Sequence, residues 1–147
     1  MHRTVLALLV LVLVTAPGVA SATLDSFLSN VNVQAQADLA GFYAKVSAQF
    51  GVAVPQVEAV LGMVATPADA FMVFQLGQMA HRPPETVVQT YQAHKGKGWG
   101  VIAKELGIKP GSREFHALKS GNLVYGDTAT SGPGKGKGKG MGKGQNK

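Results

Sequence analysis

From residue 24 to residue 121 the chain repeats one rhythm: a short stretch of apolar residues at helical spacing, then glycine or proline. Leu24 to Asn30 reads as a short first turn. From Ala35 onward, Leu39, Phe42, Tyr43, Val46 and Phe50 fall at i, i+3, i+4, i+7 and i+11. That spacing places them on one face of an amphipathic helix. Gly51 stands just past its end, where glycine closes helices. Pro55 follows at a helix start, where a missing N–H costs nothing. Val57, Val60, Leu61 and Val64 then repeat the apolar spacing.

Thr66-Pro67-Ala68-Asp69 carries the chemistry of a helix N-terminus: a capping hydroxyl, a proline with pre-set φ, and an acid in the first turn. The helix it opens is apolar almost all round, with a narrow polar stripe through Gln75 and Gln78. A helix of that kind belongs in the middle of a bundle. Arg82-Pro83-Pro84 ends it and begins another, whose inward face is Val87, Val88 and Tyr91. Gly96, Gly98 and Gly100 then frame Trp99, ahead of a short helical face of Ile102, Ala103 and Leu106 closed by Gly107. Lys109-Pro110-Gly111 turns the chain, Ser112 caps the next helix, and Phe115 and Leu118 face inward up to Gly121. Only the NLVYG stretch near residue 124 alternates like a strand, and it has no partner. The pattern predicts an all-α fold, a small bundle of about five helices.

The two ends have other patterns. His2 and Arg3 precede an unbroken apolar run from Val5 to Val14, Pro17-Gly18 breaks any helix, and Ala20-Ser21-Ala22 offers small residues to a signal peptidase. This is the plan of a secretory signal peptide, with cleavage expected after Ala22. The run is shorter than the roughly 20 residues that span a bilayer. At the other end, SGPGKGKGKGMGKGQNK has too few apolar groups to offset ordering entropy and is expected to be disordered. The expected organisation is a signal peptide over 1–22, a helical domain over 23–126 and a Gly/Lys-rich tail over 127–147.

The formal net charge of +6 changes meaning once it is divided. Residues 133–147 hold five lysines and no acid, whereas residues 23–132 hold eight basic and eight acidic residues. The surplus belongs to the tail, so the folded part is not a basic nucleic-acid binder by composition. The absence of cysteine removes thiol catalysis, thiolate metal sites, iron–sulfur clusters and covalent c-type haem.

No catalytic set is visible. His81, His94 and His116 are isolated, without the pairing of a metal site, and suit solvated or capping positions near helix ends. The carboxylates are scattered, and no nucleophile elbow, phosphate loop or dinucleotide fingerprint occurs. An enzyme built on converging histidines would need the three imidazoles within a few ångströms. The expectation is therefore no enzyme, no metal and no cofactor. Trp99, with Lys95 and Lys97 beside it, is the candidate ligand-binding group, since an aromatic on a glycine loop can stack on a sugar or base. The reading preferred for Trp99 itself is structural: it anchors the loop on the bundle, three residues before Ile102 and on the same face.

Three resemblances touch this stretch. Ile102, Ala103, Leu106, Gly107 and Ile108 resemble the first helix and turn of a helix-turn-helix, which implies nucleic-acid reading. Arg113 and His116 stand where that pattern has apolar residues. YQAHKGKGWGVIAKELGI is similar to the opening of the LysM module, through Tyr91, Ala93, Gly96, Trp99, Ile102, Ala103 and Gly107. That resemblance implies a strand at residues 88–95 and N-acetylglucosamine polymers, peptidoglycan or chitin, as ligand; Lys97 and Gly98 replace its Asp-Thr pair. Over residues 33–121 as a whole, with the GKGWGVIAKELGIKPGS core and the glycine-lysine tail, the chain also resembles a group of small secreted bacterial proteins of unknown function, which brings no activity with it.

The expectation is a non-enzymatic binding or structural protein of the cell envelope, periplasmic or extracellular. Lys135, Lys137, Lys139, Lys143 and Lys147 would give weak, unselective attachment to anionic envelope polymers or extracellular nucleic acid.

Overall fold

In a computed structural model of the chain, residues 23–126 are described. The expected signal peptide and the Gly/Lys-rich tail lie outside them. The described residues form an all-helical body of seven helices: α1 (Leu24–Ala37), α2 (Leu39–Phe50), α3 (Val54–Leu61), α4 (Pro67–Ala80), α5 (Pro84–Ala93), α6 (Trp99–Glu105) and α7 (Arg113–Ser120). The described helices number more than the five or so expected, and the reading of residues 24–50 is corrected at two places. The first turn expected at Leu24–Asn30 is a helix of 14 residues. Its core side is Leu24, Phe27, Leu28, Val31 and Ala35, again at i, i+3, i+4, i+7 and i+11. The single helix expected from Ala35 to Phe50 is broken at Asp38. The Asp38 N–H still donates to the Gln34 carbonyl and closes α1. Its carboxylate turns forward to accept from the Gly41 N–H at 2.8 Å and caps α2. A side-chain acceptor that offers the backbone a second partner is what allows the chain to change direction there. Gly41 is part of the device, because a Cβ at that position would overlap the Asp38 carboxylate. The break also turns Leu39 outward, to 44% exposure, although its spacing suggested the core.

Helix α4 runs through the middle, packed against α1, α2, α3 and α5. From Ala68 to Gly77 every residue except Asp69 is buried, Gln75 included. It starts as its sequence dictates: the Thr66 hydroxyl accepts from the Asp69 N–H at 3.2 Å, with proline in the first turn. A second free N–H of that turn, on Ala68, donates to Asn32 Oδ1 of α1 at 2.8 Å, which ties the two helices together. The far end closes with paired bonds, Arg82 N–H to the Gly77 carbonyl and His81 N–H to the Gln78 carbonyl. His81 takes the left-handed position (φ 52°), the one described non-glycine residue with positive φ.

Phe71 of α4 is the hub of an aromatic cluster. Phe27, Phe50 and Tyr125 approach it with ring centroids at 5.4, 5.5 and 5.8 Å. These are tilted and edge-on arrangements of the kind ring quadrupoles favour. Tyr125 lies in the stretch that alternated like a strand. No strand forms among the described residues; residues 122–126 instead run against α2. There the Gln49 side chain donates to the Val124 carbonyl (2.7 Å) and accepts from the Gly126 N–H (2.9 Å).

Candidate functional site

The site is built where α1, α6 and α7 meet. Helix α5 delivers Tyr91 to one side of it and ends at His94, after which Lys95 to Gly98 carry the chain over to α6. Gly96 and Gly98 both take positive φ, which lets this short loop reverse without strain. It delivers Trp99 as the first residue of α6. The indole is 8% exposed and stacks on Tyr91, with centroids 5.3 Å apart and planes at 24°. Tyr91 is held in turn: its hydroxyl accepts from the Ala65 N–H at 3.3 Å and donates to Asp69 Oδ2 at 3.2 Å. Burial raises the Tyr91 pKa, and the Asp69 carboxylate pushes it the same way against the opposing effect of the Ala65 N–H. One chain of contacts thus runs from the start of α4 through Tyr91 to Trp99, and it fixes where α6 begins.

Helix α6 is closed by Gly107, with the Ile108 N–H reaching back to the Ala103 carbonyl at 2.9 Å. Lys109 to Gly111 turn the chain, and the Ser112 hydroxyl caps α7 by accepting from the Phe115 N–H at 3.2 Å. Ile102, Ala103, Leu106, Ile108, Phe115 and Leu118 bury the inner faces of the pair. The last turn of α7 meets the first residue described. Gly121 is left-handed (φ 66°), and a Cβ there would stand 2.5 Å from the Thr23 carbonyl oxygen. Only glycine lets the chain pass so close to the cap of α1.

These elements enclose a groove of about 380 Å³. Its floor is Leu24, Val101, Phe115 and Leu118, and its rim carries Lys97, Lys104 and Lys119 with one acid, Asp25. None of the three lysines is held in an ion pair among the described residues. Three of the eight basic residues of the body thus face one depression.

The comparisons add no relative. No protein-family model, curated protein or solved structure matches the chain.

Lys97 lines the groove and Lys95 stands exposed on the same loop. Trp99 is a buried packing group with one ring face against Tyr91, so it does not present an open platform to a sugar or base. The strand implied by the LysM resemblance is not formed; residues 84–93 are helix α5, as Pro83-Pro84 and Glu85 at its start dictate. The helix-turn-helix resemblance does correspond to a helix pair, α6 and α7. The outer face of α7 carries Arg113, Glu114, His116 and Lys119, of mixed charge. His81 and His94 cap the ends of α4 and α5, and His116 lies on α7. No group of three His, Cys, Asp or Glu among the described residues is placed to hold a metal. Lys135, Lys137, Lys139, Lys143 and Lys147 lie outside the described residues.

Lys104 and Lys119 were missed by reading the sequence, as was the part played by Thr23 to Asp25. Lys104 follows Gly100 by four residues, and Lys119 follows Phe115 by four, so each sits on the helical face of a groove residue. That two such faces converge is a property of the α6–α7 turn, which no local spacing reveals.

Proposed function

We propose that this chain is an exported, non-enzymatic protein of the cell envelope that attaches to anionic polymers through its lysines. The observation that carries the reading is the partition of charge. Residues 133–147 hold five lysines and no acid, against a body that is nearly balanced. A run of cations separated by glycine meets phosphates or carboxylates at adaptable spacing, and its affinity comes from released counterions. The His2-to-Ala22 pattern supplies the export step. A cut after Ala22 would leave Thr23, whose hydroxyl accepts from the Ser26 N–H and caps α1, as the new first residue. No helix among the described residues is long and apolar enough to cross a membrane. Attachment rather than anchoring is therefore the mode proposed for the body.

The test is retention on an anionic matrix as salt is raised. With all five tail lysines engaged, log affinity falls against log salt with a slope of roughly −3.5 to −4.5. Removing residues 133–147 abolishes that retention. Equal retention of the shortened chain at every salt concentration rejects the proposal.

A further inference from the structure

We propose that the groove between α1, α6 and α7 is a binding site for an anionic amphiphile, a single-chain lipid with a phosphate or carboxylate head. This rests on the reading of the chain as an envelope protein, since the envelope is where such molecules are met. It assigns to the folded body a ligand that the tail would not select.

Two properties of the groove have to be satisfied together. The rim is cationic: Lys97, Lys104 and Lys119 face it against Asp25 alone, and no ion pair among the described residues engages the three ammonium groups. Three like charges gathered on one depression repel one another, and a bound anion would relieve that repulsion. The floor is apolar. Leu24 and Val101 are only partly covered, and beneath them Phe115 and Leu118 close the surface down to the core. A hydrophilic polyanion would satisfy the rim and leave Leu24 and Val101 in water. A neutral acyl chain would cover the floor and leave the rim unpaired. An anionic head on an apolar chain does both, and the methylene stems of the lysines can lie along the chain while their ammonium groups reach the head. Asp25, at the α1 end, disfavours the head there and directs it towards Lys104 and Lys119. The groove's volume of about 380 Å³ suits a head and the first part of a chain, not a folded partner.

Dodecyl phosphate, kept below its micelle concentration, is titrated into the chain from Thr23 to Lys147 and followed by amide NMR shifts. Saturable shifts confined to the neighbourhood of Gly100, Val101, Lys104, Leu118 and Lys119 are expected. The double substitution K104Q/K119Q weakens binding at least about tenfold, the loss expected from even one charged hydrogen bond. Inorganic phosphate and dodecyl maltoside, which carry the head charge or the chain alone, each bind at least about tenfold more weakly than dodecyl phosphate. Removal of residues 133–147 leaves dodecyl phosphate binding unchanged. The proposal is overturned by equal binding of dodecyl maltoside, by equal binding of inorganic phosphate, or by loss of binding with the tail. Inorganic polyphosphate binding at Lys104 and Lys119 where dodecyl phosphate does not would overturn it in favour of a polymer. Any of these outcomes, alongside salt-sensitive retention that still depends on the tail, leaves the polymer-attachment reading intact.

Discussion

Replacing Trp99 by alanine separates a packing role from a surface role more sharply than any other single change. The indole is 8% exposed, its face is covered by Tyr91 at 5.3 Å, and Ile102 and Ala103 beside it on α6 are buried. Truncating a buried tryptophan costs about 3–5 kcal/mol, part transfer free energy and part residual cavity. Trp99 sits at the end of a glycine-rich loop that can partly collapse into the space, which argues for the lower end, about 3 kcal/mol. For a domain of this size each kcal/mol lowers Tm by about 4–8 °C, so the expected loss is about 12–24 °C. Against a total stability of about 5–15 kcal/mol, that leaves a folded but weakened protein. Thermal unfolding followed by far-UV circular dichroism measures it. Trp99→Phe, which keeps a ring against Tyr91, loses less than half as much. A Tm for Trp99→Ala within about 3 °C of the parent, less than 1 kcal/mol by the same conversion, would contradict the packing role of the indole. It would mean that the ring does not hold α6 in place and is free to face a ligand.

Two further outcomes follow from the same geometry. His81 occupies a left-handed position (φ 52°) at the end of α4 without being glycine, so His81→Gly relieves about 1–2 kcal/mol of backbone strain against about 0.4–1 kcal/mol for the freer unfolded chain; a urea titration with unchanged m-value and a slightly higher midpoint is expected, and a lower midpoint contradicts it. Tyr91 and Tyr125 both titrate above the ordinary 10.0, each first because burial disfavours the phenolate and then because Asp69 or Asp38 stands nearby. The folded state therefore holds protons that the unfolded state releases, and stability is full below pH 10.0 and falls as pH rises towards the folded values. Melting temperatures taken from pH 8 to 11 should decline at the alkaline end, and Tyr91→Phe should flatten the decline.

What could be read from the sequence was whatever is decided within a few residues. Thr66-Pro67 and Ser112 start helices, Gly51 and Gly121 end them, and the all-round apolarity of residues 68–77 made α4 central, as it is. Asp38 was not legible as a break, because a polar residue at its spacing looks like the wet face of a continuous helix. Its effect depends on the carboxylate finding the Gly41 N–H, and no periodicity encodes that choice. The stripe from Leu24 to Ala35 was present but diluted by Ser29, Asn30 and Asn32, whose side chains compete for the backbone and advertise turns and caps rather than a helix. At the groove, Lys97 stood out beside Trp99, whereas nothing in the local pattern sets Lys104 and Lys119 apart. Their meeting is a consequence of how α6 and α7 fold back on α1, and net charge averages such a cluster away. That Trp99 anchors its loop on the bundle could be read from its place three residues before Ile102, on the same face; its stack on Tyr91 could not, because that depends on the length of the loop between α5 and α6.

The contact between Gly121 and the Thr23 carbonyl orders events in time as well as in space. A chain synthesised from its amino end presents the start of α1 long before the glycine that must slide beneath it exists. Until the last turn of α7 emerges, the opening cap lacks its cover and the depression above it has only part of its walls. Completion of the body is thus a terminal act, and a product truncated ahead of residue 121 would carry most of the helices without ever being sealed.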